Sequence, residues 1–213
     1  MSETFKSQIK NLVDDLKAVF THVGLGGEAA EYKLLTQSFL YKFLNDKFLY
    51  QAKSIDASNS YEKLIDMSEE DYTWLLKFIG TSTAWLKPDQ LIETLHRQQN
   101  EPTFYETFEN TLNQIAIDNN DIFSVHTDGD TAIRLFDERL ITDTISDSSK
   151  RNEVAKAIIN LLARVKFDET IFSQGFDFFS TLFEYMIKDY NKDGGGKYAE
   201  YYTPHSVAKI IAD

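Results

Sequence analysis

The chain has 213 residues, 42% hydrophobic and 14% aromatic, and its 34 acidic and 22 basic side chains give a net charge of −12 at pH 7. This length and apolar content allow a substantial core, which excludes intrinsic disorder. The chain has no cysteine, which excludes disulfides and cysteine-ligated metal sites and suits a reducing compartment. No apolar run approaches the roughly 20 residues needed to span a membrane, and the acid-containing N-terminus is not a secretory signal. We therefore expect a soluble, cytoplasmic protein.

The acidic excess also bears on nucleic-acid binding, because such surfaces gain affinity by neutralising phosphates with lysine and arginine. One local basic stretch contains Lys150, Arg151 and Lys156, but Asp147 and Glu153 dilute its charge. We therefore do not expect this chain to be the main DNA-contacting element of any complex to which it belongs.

Apolar residues recur at helical spacing from the N-terminus onward and predict a series of helices. Ser2 can cap a first helix, which a glycine cluster at 24–27 ends. A second helix is predicted from about Glu28 to Lys53, with Lys33 and Lys42 as solvated residues among its apolar positions. The apolar positions are Phe5, Ile9, Leu12, Val13, Leu16 and Phe20 in the first helix, and Tyr32, Leu35, Phe39, Phe43, Leu44 and Phe48 in the second.

The polar stretch 54–60 is predicted to be a loop. Beyond it, Ser68 and Asp71 approximate a capping box that opens a third helix, which Gly80 stops. The apolar positions predicted for this helix are Trp74, Leu75 and Phe78.

Two prolines predict helix starts, because proline is favoured at the first helical position. Pro88 would begin a helix that ends at Gln99, and Pro102 would begin the next. The second of these carries Phe104, Phe108, Leu112 and Ile115. The pattern fades between residues 119 and 130, and a further helix is predicted near Thr131 to Leu140.

The last clear patterns predict a helix that starts at Asp147 or Ser148 and another from Gly175 to Tyr190. The aromatic stripe of the latter is typical of a core-facing surface rather than of a platform for stacking bases. Alternating β-branched runs do not line up anywhere, so the fold class predicted from the patterns is all-α.

Residues 189–213 admit three interpretations, of which the first is an EF-hand calcium loop. The residues that match its pattern are Asp189, Asn191, Asp193, Gly194 and Glu200. However, Lys197 places a cation where an oxygen ligand is needed, and Pro204 would fall inside the exiting helix. We therefore expect no metal site here.

The second interpretation of this stretch is purely structural. Gly194 to Gly196 would end one helix, and Thr203 would cap the next helix, with Pro204 at its first position. This interpretation explains the glycines and the Thr-Pro pair, but it leaves the preceding Glu-Tyr-Tyr unexplained.

The third interpretation is a family resemblance. Residues 197–212, KYAEYYTPHSVAKIIA, resemble the Gly-Glu-Phe-Tyr-Thr-Pro segment that opens the catalytic domain of type I restriction-modification methyltransferase (modification) subunits. Residues 175–187, GFDFFSTLFEYMI, are similar to the helix that precedes this segment in the family. The chain departs from the family pattern at Ala199, where glycine is usual, and at Tyr201, where phenylalanine is usual.

The resemblance implies that residues 1–190 are a helical N-terminal domain. Residues 191–213 would then be a glycine-rich linker and the first helix of a truncated α/β catalytic domain. In the family, the aromatic-Thr-Pro corner lies against S-adenosylmethionine, with Tyr202 implied for packing and Thr203 for a polar contact. The implied cofactor-binding residues are Glu200, Tyr201, Tyr202, Thr203 and Pro204.

The resemblance further implies a site-specific adenine DNA methyltransferase as the parent protein. Such chemistry also needs a glycine turn for the cofactor and an Asn-Pro-Pro-aromatic loop for the flipped base, and both follow the corner in the family. We therefore expect this segment alone to contain no catalytic residue, to bind no S-adenosylmethionine and to be inactive. The implied partners are a specificity subunit, a second modification subunit, a restriction subunit and double-stranded DNA, without a membrane. Two alternatives stay open: a non-enzymatic helical interaction module, and another adenine DNA methyltransferase with the same Thr-Pro corner.

Overall fold

The computed structural model describes residues 3–81, 83–123, 134–167 and 169–173. Within these ranges the chain forms helices and no strand, which confirms the predicted all-α class. The helices are α1 (Glu3–His22), α2 (Ala29–Ile55), α3 (Tyr61–Ile65), α4 (Glu69–Ile79), α5 (Ile92–Gln98), α6 (Phe104–Asp118), α7 (Asn120–Phe123), α8 (Leu140–Thr144), α9 (Ser148–Arg164) and α10 (Thr170–Ser173).

Helix α2 lies at the centre of the fold and packs against α1, α4, α8 and α9. Its buried apolar side chains point in several directions, because it has neighbours on several sides: Leu34, Leu35, Phe39, Tyr41, Leu44, Phe48 and Ala52. A helix enclosed in this way does not show the single apolar stripe of a surface helix. The prediction that Lys42 is solvated is therefore wrong, since this residue is only 3% exposed.

Helix α9 is the second centre of packing and contacts α1, α5, α6 and α8. It begins where the sequence predicts, because the Asp147 carboxylate accepts a hydrogen bond from the Ser149 backbone N–H at 3.0 Å. One face of α9 is buried in the core through Val154, Ala155, Ile158, Ile159 and Leu162.

The predicted start and end of α4 are confirmed. The Ser68 hydroxyl accepts a hydrogen bond from the Asp71 N–H at 3.1 Å, and Gly80 ends the helix with a φ of 66° that favours glycine. The core-facing residues of α4 are, however, Tyr72, Leu75 and Ile79. Of the apolar positions named from the sequence, Trp74 and Phe78 are 53% and 69% exposed, because they lie on the other side of the helix.

The helix predicted from Pro88 to Gln99 is divided in two. Pro88–Gln90 form a single 3-10 turn, Leu91 is extended, and α5 begins only at Ile92. The physical reason is a tertiary hydrogen bond: the buried Tyr41 hydroxyl donates to the Gln90 carbonyl at 2.7 Å.

The prediction of a helix near residues 131–140 is wrong for residues 134–139, which the structure describes as non-helical. The helix α8 begins only at Leu140. The start of α8 is stabilised from a distant part of the chain. The buried Glu109 carboxylate accepts hydrogen bonds from the Thr142 N–H at 2.6 Å and from its hydroxyl at 2.8 Å. Because Glu109 is more than 30 residues away from α8 in sequence, the residues around α8 do not by themselves predict where this helix begins.

Candidate functional site

The residues predicted to contact the cofactor lie outside the described residues. They are Glu200, Tyr201, Tyr202, Thr203 and Pro204. The calcium-loop residues and the helix predicted at 175–190 also lie outside the described residues. The roles of Tyr202 and Thr203 therefore stay predictions.

In the described part, the structure contains a cavity of about 670 Å³ between α2, the turn before α3, the start of α5 and residues 163–172. This volume falls in the range of small-molecule sites. Cations, carboxylates, amides and aromatic rings share its wall, including Lys42, Lys53, Lys166, Asp46, Glu62, Glu93, Glu169, Asn45, Asn59, Tyr50, Tyr61, Phe167 and Phe172.

A buried polar cluster on α2 forms the floor of this cavity. Lys42 and Asp46 are one helical turn apart, and the Lys42 Nζ lies 2.9 Å from both carboxylate oxygens of Asp46. Their side chains are only 4% and 11% exposed. Burial lowers the pKa of Lys42 from its ordinary value, while the adjacent Asp46 charge and hydrogen bond oppose that shift.

Asn45 extends the cluster to α5. Its Nδ2 donates to Asp46 Oδ1 at 2.9 Å, and its Oδ1 accepts the Ile92 N–H at 3.0 Å. That Ile92 N–H belongs to the first turn of α5, where no carbonyl of the same helix is available to accept it. The amide therefore links α2 to the start of α5.

The same face of α2 also holds the segment that follows α9. Asp46 Oδ2 accepts the Phe167 N–H at 3.2 Å, and the Lys42 Nζ lies 5.4 Å from the centre of the Phe167 ring. Lys53 pairs with Glu169 at 3.1 Å. The Phe172 ring packs against Phe43 and Tyr50, with ring centroids 5.7 and 5.5 Å apart.

These contacts indicate what the cluster can do chemically. Asp46 already accepts hydrogen bonds from Lys42 and Asn45 of α2 and from the Phe167 backbone, so its role is to hold α2 and the segment after α9 together. Sequence reasoning missed it because Lys42 was assigned to a solvated face. One feature of the sequence could have indicated the buried pair: Lys42 and Asp46 are four residues apart in a long helix that has apolar residues on all sides.

Within residues 3–81, 83–123, 134–167 and 169–173, no three histidine or carboxylate side chains come together in a group that could hold a metal ion. In the same ranges, every helix is too short or too polar to cross a membrane.

Comparisons with known proteins give one informative result. Neither a protein-family profile nor a curated protein matches the chain. Among solved structures, the chain is similar to the "type I restriction-modification system methyltransferase subunit from Streptococcus thermophilus", with a TM-score of 0.62 and 21% sequence identity. The likeness covers 99% of this chain but only 43% of that one, so this chain spans less than half the length of the methyltransferase subunit.

At this level of identity, the likeness shows a common fold. It agrees with the resemblance predicted from residues 175–187 and 197–212, which named the same family from sequence motifs alone. In its fold, this chain is therefore a counterpart of part of a type I restriction-modification methyltransferase subunit.

Proposed function

We propose that this chain is the N-terminal helical part of the modification subunit of a type I restriction-modification system. The observation that carries the proposal is the likeness of fold to such a subunit, over 99% of this chain and 43% of the other. The motif in residues 197–212 supports it independently, because it resembles the segment that opens the catalytic domain in this family.

The parent protein is then an S-adenosylmethionine-dependent, adenine-specific DNA methyltransferase. Residues 1–190 form the helical domain that helps to assemble the complex and to enclose DNA, and residues 191–213 lead into the catalytic domain. The partners are a specificity subunit, a second modification subunit, a restriction subunit and double-stranded DNA. The segment alone is inactive and does not bind the cofactor, because one wall of a pocket leaves most of a ligand in water.

The corner residues supply the contribution of this chain to the cofactor site. Tyr202 packs against S-adenosylmethionine and the Thr203 hydroxyl makes a polar contact with it, with Glu200, Tyr201 and Pro204 beside them.

The test is methyl transfer from labelled S-adenosylmethionine to duplex DNA by the full reading frame with its specificity subunit. Thr203→Val and Tyr202→Ala should reduce incorporation, because each removes a contact to the cofactor. Thr73→Val is the matched control: among the described residues, its hydroxyl bonds only to the Glu69 carbonyl of its own helix, so activity should not change. Circular dichroism of each variant checks folding.

Each result has a different consequence. No incorporation by the native complex would contradict the methyltransferase assignment and favour a non-enzymatic interaction module. Normal incorporation by both corner variants would leave Thr203 as a helix cap and remove the corner from the cofactor site. Calorimetry on residues 1–213 should show no heat from S-adenosylmethionine, and tight binding would contradict the assignment of only one pocket wall to this chain.

A further inference from the structure

Two aromatic side chains of α4 lie exposed on the side of the helix away from the core. Trp74 and Phe78 are 53% and 69% exposed, and their ring centroids lie 6.3 Å apart at an angle of 31°. Among the described residues, the other exposed large hydrophobic side chains each lie in a different helix: Ile55, Ile65 and Ile117. Single exposed aliphatic residues are normal on a protein surface, whereas an adjacent tryptophan and phenylalanine are typical of a protein-binding site.

The fold holds α4 by its opposite side and leaves the aromatic pair free to bind. The core-facing residues are Tyr72, Leu75 and Ile79. The second tryptophan of the chain, Trp85, is half-buried, and its indole N–H donates to the Gly80 carbonyl at 2.6 Å. Trp74 instead contacts residues of its own helix, the Phe78 ring and the Lys77 ammonium, which lies 4.8 Å from its ring centre. The pair is thus presented on a rigid helix, which lowers the entropy cost of binding.

Two opposite charges lie on one side of this aromatic pair. With 3.6 residues per turn, Glu70 and Lys77 are rotated in the same sense from Trp74, by about 40° and 60°. Glu70 comes one turn before Trp74 and Lys77 about one turn after it, so they are about 10 Å apart along the axis and do not pair with each other. Both are exposed, and neither forms an ion pair with a described residue. We call Glu70, Trp74, Lys77 and Phe78 the α4 face.

We propose that the α4 face binds the α4 face of a second copy of this chain. In an antiparallel pairing about a twofold axis at Trp74, a residue one turn before Trp74 on one helix lies beside the residue one turn after it on the other. Glu70 of each copy then lies beside Lys77 of the other copy, on the same side of the helix pair. The two tryptophans meet at the centre, and two ion pairs form between the copies.

This self-complementarity selects the occupant and the direction of the pairing. An isologous interface requires that each residue finds its partner on an identical surface, and the antiparallel arrangement meets this requirement for both charges. A parallel pairing would leave the two charges about 10 Å apart along the axis and therefore unpaired. Asp71, on the Phe78 side of the helix, already accepts a hydrogen bond from the Ser68 hydroxyl at 2.7 Å.

The inference rests on the proposed function, which places two modification subunits in one complex, and it assigns the surface through which they touch. An interface centred on one helix of 11 residues is smaller than the about 800 Å² per partner of a stable complex. The net charge of −12 also makes two free copies repel each other. The contact is therefore weak alone and gains strength where the complex holds both copies at a high effective concentration.

The experiment forms a disulfide between the two copies in the full-length subunit assembled with its specificity subunit. Glu70→Cys with Lys77→Cys places thiols at both ends of the proposed ion pair, and residues 1–213 contain no other cysteine. The two new thiols of one chain cannot bridge, because about 10 Å along the helix separates them and a disulfide needs Cα atoms within about 7 Å. Mild oxidation should therefore give a covalent dimer of the subunit.

The two single-cysteine variants are the matched controls. In the proposed pairing, equal residues of the two copies lie about 9 to 12 Å apart along the axis, so each single variant should give less than about a tenth of the covalent dimer. Adding Trp74→Ala to the cysteine pair should lower the yield at least about fivefold, because it removes the centre of the contact. Adding Ile117→Ala, at a side chain of α6 that is 56% exposed, should leave the yield unchanged.

The charges are tested by sedimentation of the full-length subunit without introduced cysteines. Glu70→Lys and Lys77→Glu should each weaken self-association about tenfold at low salt, because each replaces two ion pairs by two like-charge contacts. The double reversal restores both pairs and keeps the native net charge, so it should recover the native association constant. Equal association constants for the single and double reversals would overturn the proposal.

The remaining outcomes separate this inference from the proposed function. If the cysteine-pair complex methylates DNA but gives no more covalent dimer than the single variants, the inference fails and the proposed function stands. If Trp74→Ala releases the specificity subunit and leaves the yield of covalent dimer unchanged, the face binds that subunit and the inference is again overturned. If the native complex does not methylate DNA, the proposed function fails, while recovery of self-association by the double reversal would still support pairing of two copies.

Discussion

Helices α2 and α9 are the two centres of packing, but they use their basic side chains in different ways. On α2, Lys33 pairs with Asp137 at 2.7 Å, and Lys53 pairs with Glu169 at 3.1 Å. Both partners lie far along the sequence, so the α2 cations hold distant segments of the chain. On α9, Lys156 and Arg164 have no acidic partner in the part of the chain that the structure describes.

The comparison of α2 with α9 shows that a lysine in a helix has no fixed structural role. Lys42 and Lys156 both follow helical apolar patterns, and a helical wheel assigns both to a solvated side. Lys42 is buried because the segment that follows α9 covers it, with the Phe167 ring 5.4 Å from its Nζ, whereas Lys156 is partly exposed although α9 also packs against several helices. The segments that pack over a given position, and not the number of neighbours of its helix, therefore decide whether a lysine there is buried or exposed.

The largest expected effect comes from breaking the buried pair on α2. Asp46→Ala should lower the free energy of unfolding by about 3 to 5 kcal/mol, because it leaves the Lys42 charge buried without a partner. The control, Asp143→Ala, removes the acid of an exposed pair with Arg139 and should cost less than about 1 kcal/mol. Urea denaturation measures both values.

A double variant of the buried pair sharpens this prediction. Lys42→Met with Asp46→Leu should recover part of the lost stability, because no buried charge remains, although the Asn45 amide and the Phe167 N–H still lose their acceptor. Similar small losses for Asp46→Ala and Asp143→Ala would mean that the pair on α2 is no more important than a surface pair.

The next largest effect is expected at alkaline pH and comes from two buried tyrosines, Tyr41 of α2 and Tyr72 of α4. The Tyr41 and Tyr72 hydroxyls donate to the Gln90 and Leu86 carbonyls at 2.7 and 2.5 Å. Burial raises the pKa of both hydroxyls above the ordinary value, and the Asp89 charge adds to the shift. The folded state therefore keeps protons that the unfolded state releases above about pH 10.

The sign of the pH dependence follows from these raised pKa values. The stabilisation by both tyrosines is complete below about pH 10 and is lost as the pH rises further. Unfolding followed between pH 8 and 11.5 measures the loss. The lowered pKa of Lys42 acts in the opposite direction, so the double variant Tyr41→Phe, Tyr72→Phe is needed to isolate the tyrosine contribution. A native protein with the same pH dependence as this variant would contradict the prediction.

The smallest effects are expected on α9. Asp147→Ala should cost about 1 kcal/mol, because it removes the side-chain cap of the helix. Lys156→Gln should change the free energy of unfolding by no more than about 0.5 kcal/mol, since its side chain stabilises nothing in the described fold. Thermal denaturation of both variants measures the contrast. A loss above about 1 kcal/mol for Lys156→Gln would remove the distinction between α2 and α9.

Much of the fold could be predicted because its signals are local. Ser68 and Asp71 revealed the start of α4, Asp147 revealed the start of α9, and apolar spacing gave the all-α class. The errors came from contacts between distant segments. Tyr41 divides the helix predicted at 88–99, and Glu109 stabilises a helix that begins at Leu140.

The candidate sites also differ in whether local sequence could predict them. The corner at Glu200 to Pro204 was predicted from a motif and stays a prediction, because it lies outside the described residues. The cavity beside Lys42 and Asp46 was not predicted at all. It brings together α2, α5 and residues 163–172, which are far apart in sequence, so no local pattern could reveal it.

By itself, the sequence determined the class of the fold, the ends of several helices and the family that the chain resembles. Those features depend on residues within one or two helical turns, or on a short motif. Only the tertiary structure decided that Lys42 is buried, that Trp74 and Phe78 are exposed, and that Lys33 and Lys53 pair with acids far along the chain. Burial and charge pairing depend on which helices surround a side chain, and that arrangement arises only when distant segments pack together.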